Sequence, residues 1–158
     1  MARTSRNPAL GIRVATHRQA PFHDLPSLEN TPMIDPTRIL VVDDEPMIRS
    51  MLERMLGDAS RSVTAVASGG EALRAFEAAR ARGAPFQAVV TDLGMPGMSG
   101  LDLARRIKEA EPGTLVVLLT GSSDDDDEPT PDVDLVLHKP GGLHALRGAL
   151  ASPRAPIP

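Results

Sequence analysis

The chain of 158 residues has no cysteine, no tryptophan and no tyrosine, and only three phenylalanines. Without cysteine it forms no disulfide, has no thiol nucleophile and lacks the commonest zinc ligand. No apolar run approaches the roughly 20 residues of a membrane span, so no membrane partner is expected. The N-terminus also lacks the continuous apolar stretch of a secretory signal, and a cytoplasmic location is expected. Basic charge is scarce where it would matter for nucleic acid. Residues 1–32 carry Arg3, Arg6, Arg13 and Arg18 against Asp24 and Glu29, a balance of +2, so the overall −4 leaves −6 on the remainder. An acidic body of this kind lacks the basic footprint that nucleic acid requires.

What is present is enough for one ordinary domain with a real core: 41% hydrophobic and 24% charged residues. Its organising stretch is Arg38-Ile39-Leu40-Val41-Val42-Asp43-Asp44-Glu45-Pro46. Four consecutive apolar residues suit a strand covered on both faces in a parallel sheet. Pro46 suits the first turn of a helix, where its missing N–H costs nothing. The acids therefore sit at the carboxyl end of a buried strand, where open α/β sheets bind ligands. Two adjacent carboxylates repel unless a cation compensates them. The same acids also suit a helix N-terminus, where they would serve only as caps.

Residues 1–36 show no sustained period and are punctuated by Pro8, Pro21, Pro26, Pro32 and Pro36, which predicts a flexible extension. Met33 would make an ordinary start for the domain. Apolar residues at 47, 48, 51, 52, 55 and 56 predict a helix over 46–56, stopped by Gly57. Met47 and Met51 lie on one rim of its apolar face, either as core or as an adaptable docking edge. Strands are expected at 62–67, 86–90, 115–120 and 135–137, and helices at 71–82, 101–110 and 143–150. Between Thr120 and Leu135 the segment Asp124–Glu128 is five consecutive acids that could not anchor a helix to a core. Alternating strands and helices give a five-stranded parallel sheet wrapped by helices, with the fourth helix reduced or absent.

Four strand ends then carry polar residues on one edge: Asp43 with Asp44, Asp92, Thr120 and Lys139. Three carboxylates make a hard, oxygen-rich site suited to Mg²⁺. A lysine and a hydroxyl beside them suit a phosphoryl group, one neutralising charge and the other donating a hydrogen bond.

Together with Leu93-Gly94-Met95-Pro96-Gly97-Met98-Ser99-Gly100, Leu118-Leu119-Thr120-Gly121 and His138-Lys139-Pro140, this pattern resembles the response-regulator receiver domain of two-component signalling. The resemblance covers about residues 37–150, with 151–158 as a tail. It implies a doubly wound, flavodoxin-like sheet of order 2-1-3-4-5. It implies that Asp92 is the phosphoacceptor, and that Asp43, Asp44, Asp92 and the Gly94 carbonyl hold Mg²⁺. Thr120 and Lys139 would hold the phosphoryl oxygens, and the Lys139–Pro140 bond would be cis. The implied donor is a histidine kinase or histidine phosphotransfer protein. The chain would catalyse only its own phosphorylation and dephosphorylation, as a single-domain phosphorelay protein without an output domain, and a monomer is expected.

Two features depart from the family. Receivers generally keep an aromatic residue three before the lysine, and Val136 stands there instead. The acidic Asp124–Glu128 segment also replaces the usual fourth helix. Both departures fall on the face where many receivers transmit their state. Two alternatives follow: a degenerate receiver that acts as a phosphorylation-independent binding module, and a haloacid-dehalogenase-like phosphohydrolase, whose two-apart acids Asp43 and Glu45 would match.

Overall fold

In the computed structural model of the protein, residues 36–121 and 130–150 are described, together with the backbone of residues 6–7 and 12–14. The elements run β1 (Arg6–Asn7), β2 (Ile12–Val14), β3 (Arg38–Val42), α1 (Pro46–Leu56), β4 (Ser62–Val66), α2 (Gly69–Ala81) and β5 (Ala88–Asp92). They continue with α3 (Gly100–Ala110), β6 (Leu115–Thr120), β7 (Leu135–His138) and α4 (Leu143–Leu150). β4, β3, β5, β6 and β7 form the parallel sheet in that spatial order, which is the expected 2-1-3-4-5.

Strand alternation sends the apolar residues of each strand to opposite faces, and helices cover both. Leu40, Val42, Val89, Val116, Leu118 and Val136 meet α2 and α3 on one face, around Phe76, Leu103 and Ile107. Ile39, Val41, Val90, Val117, Leu119, Leu135 and Leu137 meet α1 and α4 on the other, around Leu52, Leu56 and Leu146. Each large side chain buried this fully contributes roughly 1.5–3 kcal/mol, and two of the three phenylalanines, Phe76 and Phe86, are among those in the core. Ser68 caps α2 by accepting from the Glu71 N–H, while the Glu71 carboxylate accepts from the Ala67 N–H just before the cap.

The third parallel strand differs from its expected position, starting at Ala88 and not at Phe86. The Gln87 side chain is drawn away to Thr37 and Arg38, whose backbone N–H groups both donate to its Oε1. At the other end Asp92 stays inside the sheet, opposite Leu119. No helix lies between β6 and β7 among the described residues, and the acidic segment falls outside them.

The N-terminal region also differs from the flexible extension expected over 1–36. β2 pairs antiparallel with β7, and β1 pairs antiparallel with β2, so the sheet gains two short strands on that edge. The other residues of 1–35 lie outside the described residues, as does the tail 151–158.

Candidate functional site

The strand order brings the carboxyl ends of β3, β5, β6 and β7 together, and with them every residue singled out from the sequence. Asp43 directly follows the fully buried β3 and is itself 0% exposed. A buried carboxylate needs partners for both oxygens. Its Oδ1 accepts from the Glu45 backbone N–H at 2.8 Å, and its Oδ2 accepts from Lys139 Nζ at 3.0 Å. Glu45, at the N-cap of α1, makes no side-chain capping bond. Asp44 points from the exposed side of the same turn.

Asp92 ends β5, which is buried along its whole length. Its backbone is clamped: the Thr91 hydroxyl donates to the Asp92 carbonyl at 3.0 Å, and the next amide, of Leu93, donates to Leu119. Helix α3 begins hard against this carbonyl. A Cβ at Gly100 would run into the Asp92 carbonyl oxygen, so only glycine lets α3 start here. Ser99 caps that helix by accepting from the Asp102 N–H.

Oxygens of Asp43, Asp44 and Asp92 lie within 4.8 Å of one another. Lys139 answers this concentration of negative charge, with Nζ 3.0 Å from Asp43 and 3.0 Å from Asp92. Burial pushes the Asp92 carboxyl above its ordinary value; the Lys139 hydrogen bond and charge pull it back, and Asp43 and Asp44 add to the rise. Burial works against the Lys139 ammonium, but its bonds to Asp92 and Asp43 outweigh it and hold the group above its ordinary value. The site thus contains carboxylates held close against their repulsion by a single lysine. Such an arrangement suits an added divalent cation.

Lys139 is placed from β7, its N–H donating to the Thr120 carbonyl at 2.8 Å, and the Lys139–Pro140 peptide is cis, as the resemblance implies. Thr120 is buried at the end of β6. At Gly94 and Gly121 a Cβ would meet nothing within 4 Å, so both positions are open. Glu45 is exposed and contributes its backbone, not its carboxylate, to Asp43.

Sequence reasoning missed Arg49. Its Nη1 donates to the Asp43 carbonyl at 2.7 Å, tying the first turn and a half of α1 back to the acidic turn. The only available signal was a basic residue six positions after Asp43, on the polar side of an amphipathic helix. Nor are the two methionines of the α1 rim core residues: Met47 is 85% exposed and Met51 38%.

A family model described as the response regulator receiver domain matches residues 39–150. Among curated proteins, the transcriptional regulatory protein TcrA of Mycobacterium tuberculosis is 34% identical over 126 residues, 77% of this chain and 48% of its own length. The chain therefore spans about half of that relative. Among solved structures, a response regulator receiver domain protein from Clostridium thermocellum superposes with TM-score 0.63 at 32% identity, over 72% of this chain and 90% of that one. The response regulator protein TrrA of Thermotoga maritima, solved in complex with Mg(2+)-BeF, gives TM-score 0.63 at 31% identity, over 72% of this chain and 96% of that one. Among the described residues, no helix is long and apolar enough to cross a membrane.

Proposed function

The chain belongs to the response regulator receiver family of two-component signalling, and from that premise we propose that it accepts a phosphoryl group on Asp92 from a phosphohistidine of a kinase or phosphotransfer protein. The observation that carries this reading is the clustering of the Asp43, Asp44 and Asp92 oxygens within 4.8 Å, bridged by Lys139. In the transfer a carboxylate oxygen of Asp92 forms the new P–O bond as the P–N bond to the partner's imidazole breaks. The imidazole leaves with the electron pair of that bond and takes its proton from solvent. No general base is required, because the attacking carboxylate carries no proton to remove.

The residues fit Mg²⁺: hard carboxylate oxygens from Asp43, Asp44 and Asp92, joined by the Gly94 carbonyl, suit that ion. Bound there, Mg²⁺ would offset the negative charge of the transferring group. Lys139 supplies a second positive charge, moving from its carboxylate partners toward the phosphoryl oxygens, and the Thr120 hydroxyl donates to another of them. The chain catalyses only its own phosphorylation and dephosphorylation, and hydrolysis of its aspartyl phosphate resets it.

The partner reads α1. Met47 and Met51 are exposed one and two turns from the acidic turn, and with Pro46, Ser50, Arg54 and Met55 they line an open groove of about 640 Å³. Flexible methionines suit a transient contact with a helical bundle that presents the histidine. Radiolabelled acetyl phosphate with Mg²⁺ tests the whole reading. Label should appear on the wild type, vanish in Asp92→Asn and vanish with EDTA. Undiminished label in Asp92→Asn would overturn the assignment, and an unlabelled wild type would leave the chain a phosphorylation-independent binding module.

A further inference from the structure

An edge strand presents a row of unpaired backbone donors and acceptors that another chain can pair with, and proteins blunt or cover such edges. β7 closes the parallel sheet on one side, and it reads Leu135-Val136-Leu137-His138, with three consecutive apolar residues and no charge or proline within it. Left bare, it would offer a second copy of the chain a strong template. It is not bare. β2 lies antiparallel along it, with Ile12 opposite Leu137, Arg13 opposite Val136 and Val14 opposite Leu135. β1 then pairs outside β2, with Asn7 opposite Ile12 and Arg6 opposite Arg13.

The outcome is a change of edge. A four-residue strand with three apolar residues is replaced, as the outermost one, by a two-residue strand that contains an arginine. Very short edge strands and charged residues are both devices that discourage pairing. The opposite edge, β4, needs no such cover to the same degree, because Ser62 and Thr64 alternate along it and it is more exposed.

We propose that residues 6–7 and 12–14 serve as an intramolecular edge cover, with 12–14 pairing with β7 to deny that strand to a second copy of the chain. The interaction surface is the outer backbone edge of Leu135–Leu137, and its occupant is the chain's own residues 12–14.

The test uses the full chain with Ile12→Pro and Arg13→Pro together. Neighbouring residues of a strand direct their backbone groups to opposite sides, so two adjacent prolines remove a donor toward β7 and one toward β1. Hydrogen exchange and sedimentation velocity are measured, with Gln19→Pro as a control beyond both strands. In the double variant, the Leu135–Leu137 amides should exchange at least about tenfold faster at low concentration, while β3 and β5 keep their protection and so report an intact fold. Raising the concentration should then produce a dimer in which β7 protection returns. The wild type and the control should remain monomers.

Unchanged β7 exchange in the double variant would overturn the pairing. Fast β7 exchange in a variant that stays monomeric at every concentration would overturn the role as a cover. A wild-type dimer that the prolines dissociate would place the hairpin on a neighbouring copy, and would overturn the intramolecular form.

Discussion

The β3–β5 centre and the β7 side of the same strand-end edge are built to different standards. β3 and β5 are paired on both sides, buried, and directly joined, with Val42 opposite Thr91. They deliver Asp43 and Asp92. β7 has four residues, and its outer neighbour is the three-residue β2. It delivers Lys139. The difference follows from what each group has to do. Carboxylates a few ångströms apart repel, and only a rigid interior can hold them in place before a cation arrives. On the proposed function the lysine would leave one set of oxygens for another, which a shorter peripheral strand would permit. On this side Val136 stands where the family resemblance implies an aromatic residue, and it packs into the core on the α2–α3 face, away from the carboxylates.

This contrast is broken most directly on β7 itself. Lys139→Ala removes charge-assisted hydrogen bonds worth about 1.5–3 kcal/mol each, so the rate of label transfer from acetyl phosphate should fall by roughly 10–100-fold. Val136→Ala, three residues earlier on the same strand, should leave that rate within about twofold when normalised to folded protein, since Val136 packs against the α2–α3 face and touches no reacting atom. Equal losses from the two would show that the strand acts as one catalytic unit, and the contrast would collapse.

The next effect compares the two adjacent acids. Asp43 is buried and bonded to the Glu45 amide and Lys139, whereas Asp44 is exposed. Asp43→Ala should weaken Mg²⁺ binding and also cost about 1–3 kcal/mol of stability, because a buried donor and a cation each lose a partner. Asp44→Ala should weaken Mg²⁺ binding with little change in the metal-free unfolding midpoint. Urea unfolding in EDTA, paired with Mg²⁺ titration, separates the two. A stability loss of the same size in both variants would mean that the turn, not the carboxylate, is what each substitution damages.

Much of this was legible in the sequence, and for a physical reason. β3, β6, α1 and α4 are bounded by abrupt changes from apolar run to acid, glycine or proline, and those boundaries need no knowledge of the partner strands. The site followed, because residues at strand ends of a parallel sheet share an edge whatever the loops do. What stayed hidden depends on contacts made at a distance. Just ahead of β5 the Gln87 side chain accepts from the Thr37 and Arg38 amides, residues fifty and forty-nine positions away. Gly100 is required by a carbonyl that only the folded loop brings near it. Strands of two and three residues are too short to display an alternation, so residues 6–14 carried no signal until β7 stood beside them.

The smallest effect concerns stability, and it tests whether the rigid centre really is held under electrostatic strain. The folded protein raises the Asp92 carboxyl above its ordinary value, through burial first and the Asp43 and Asp44 charges after it, with Lys139 offsetting part. The folded state therefore binds the Asp92 proton more tightly than the unfolded chain does. Above both values the ionised group costs stability, and below both the cost is gone. In EDTA, Asp92→Asn should accordingly raise the thermal midpoint near neutral pH. That gain should shrink as the pH falls through the folded-state value of Asp92, and should disappear below the unfolded one. Saturating Mg²⁺ should narrow or reverse it at neutral pH, because the cation stabilises the folded wild type by mass action and the variant offers it one carboxylate fewer. A gain that persists unchanged into acid would assign the stabilisation to packing of the amide. A loss at neutral pH would show that the ion pair with Lys139 outweighs burial and repulsion, and that the acceptor sits in its site without strain.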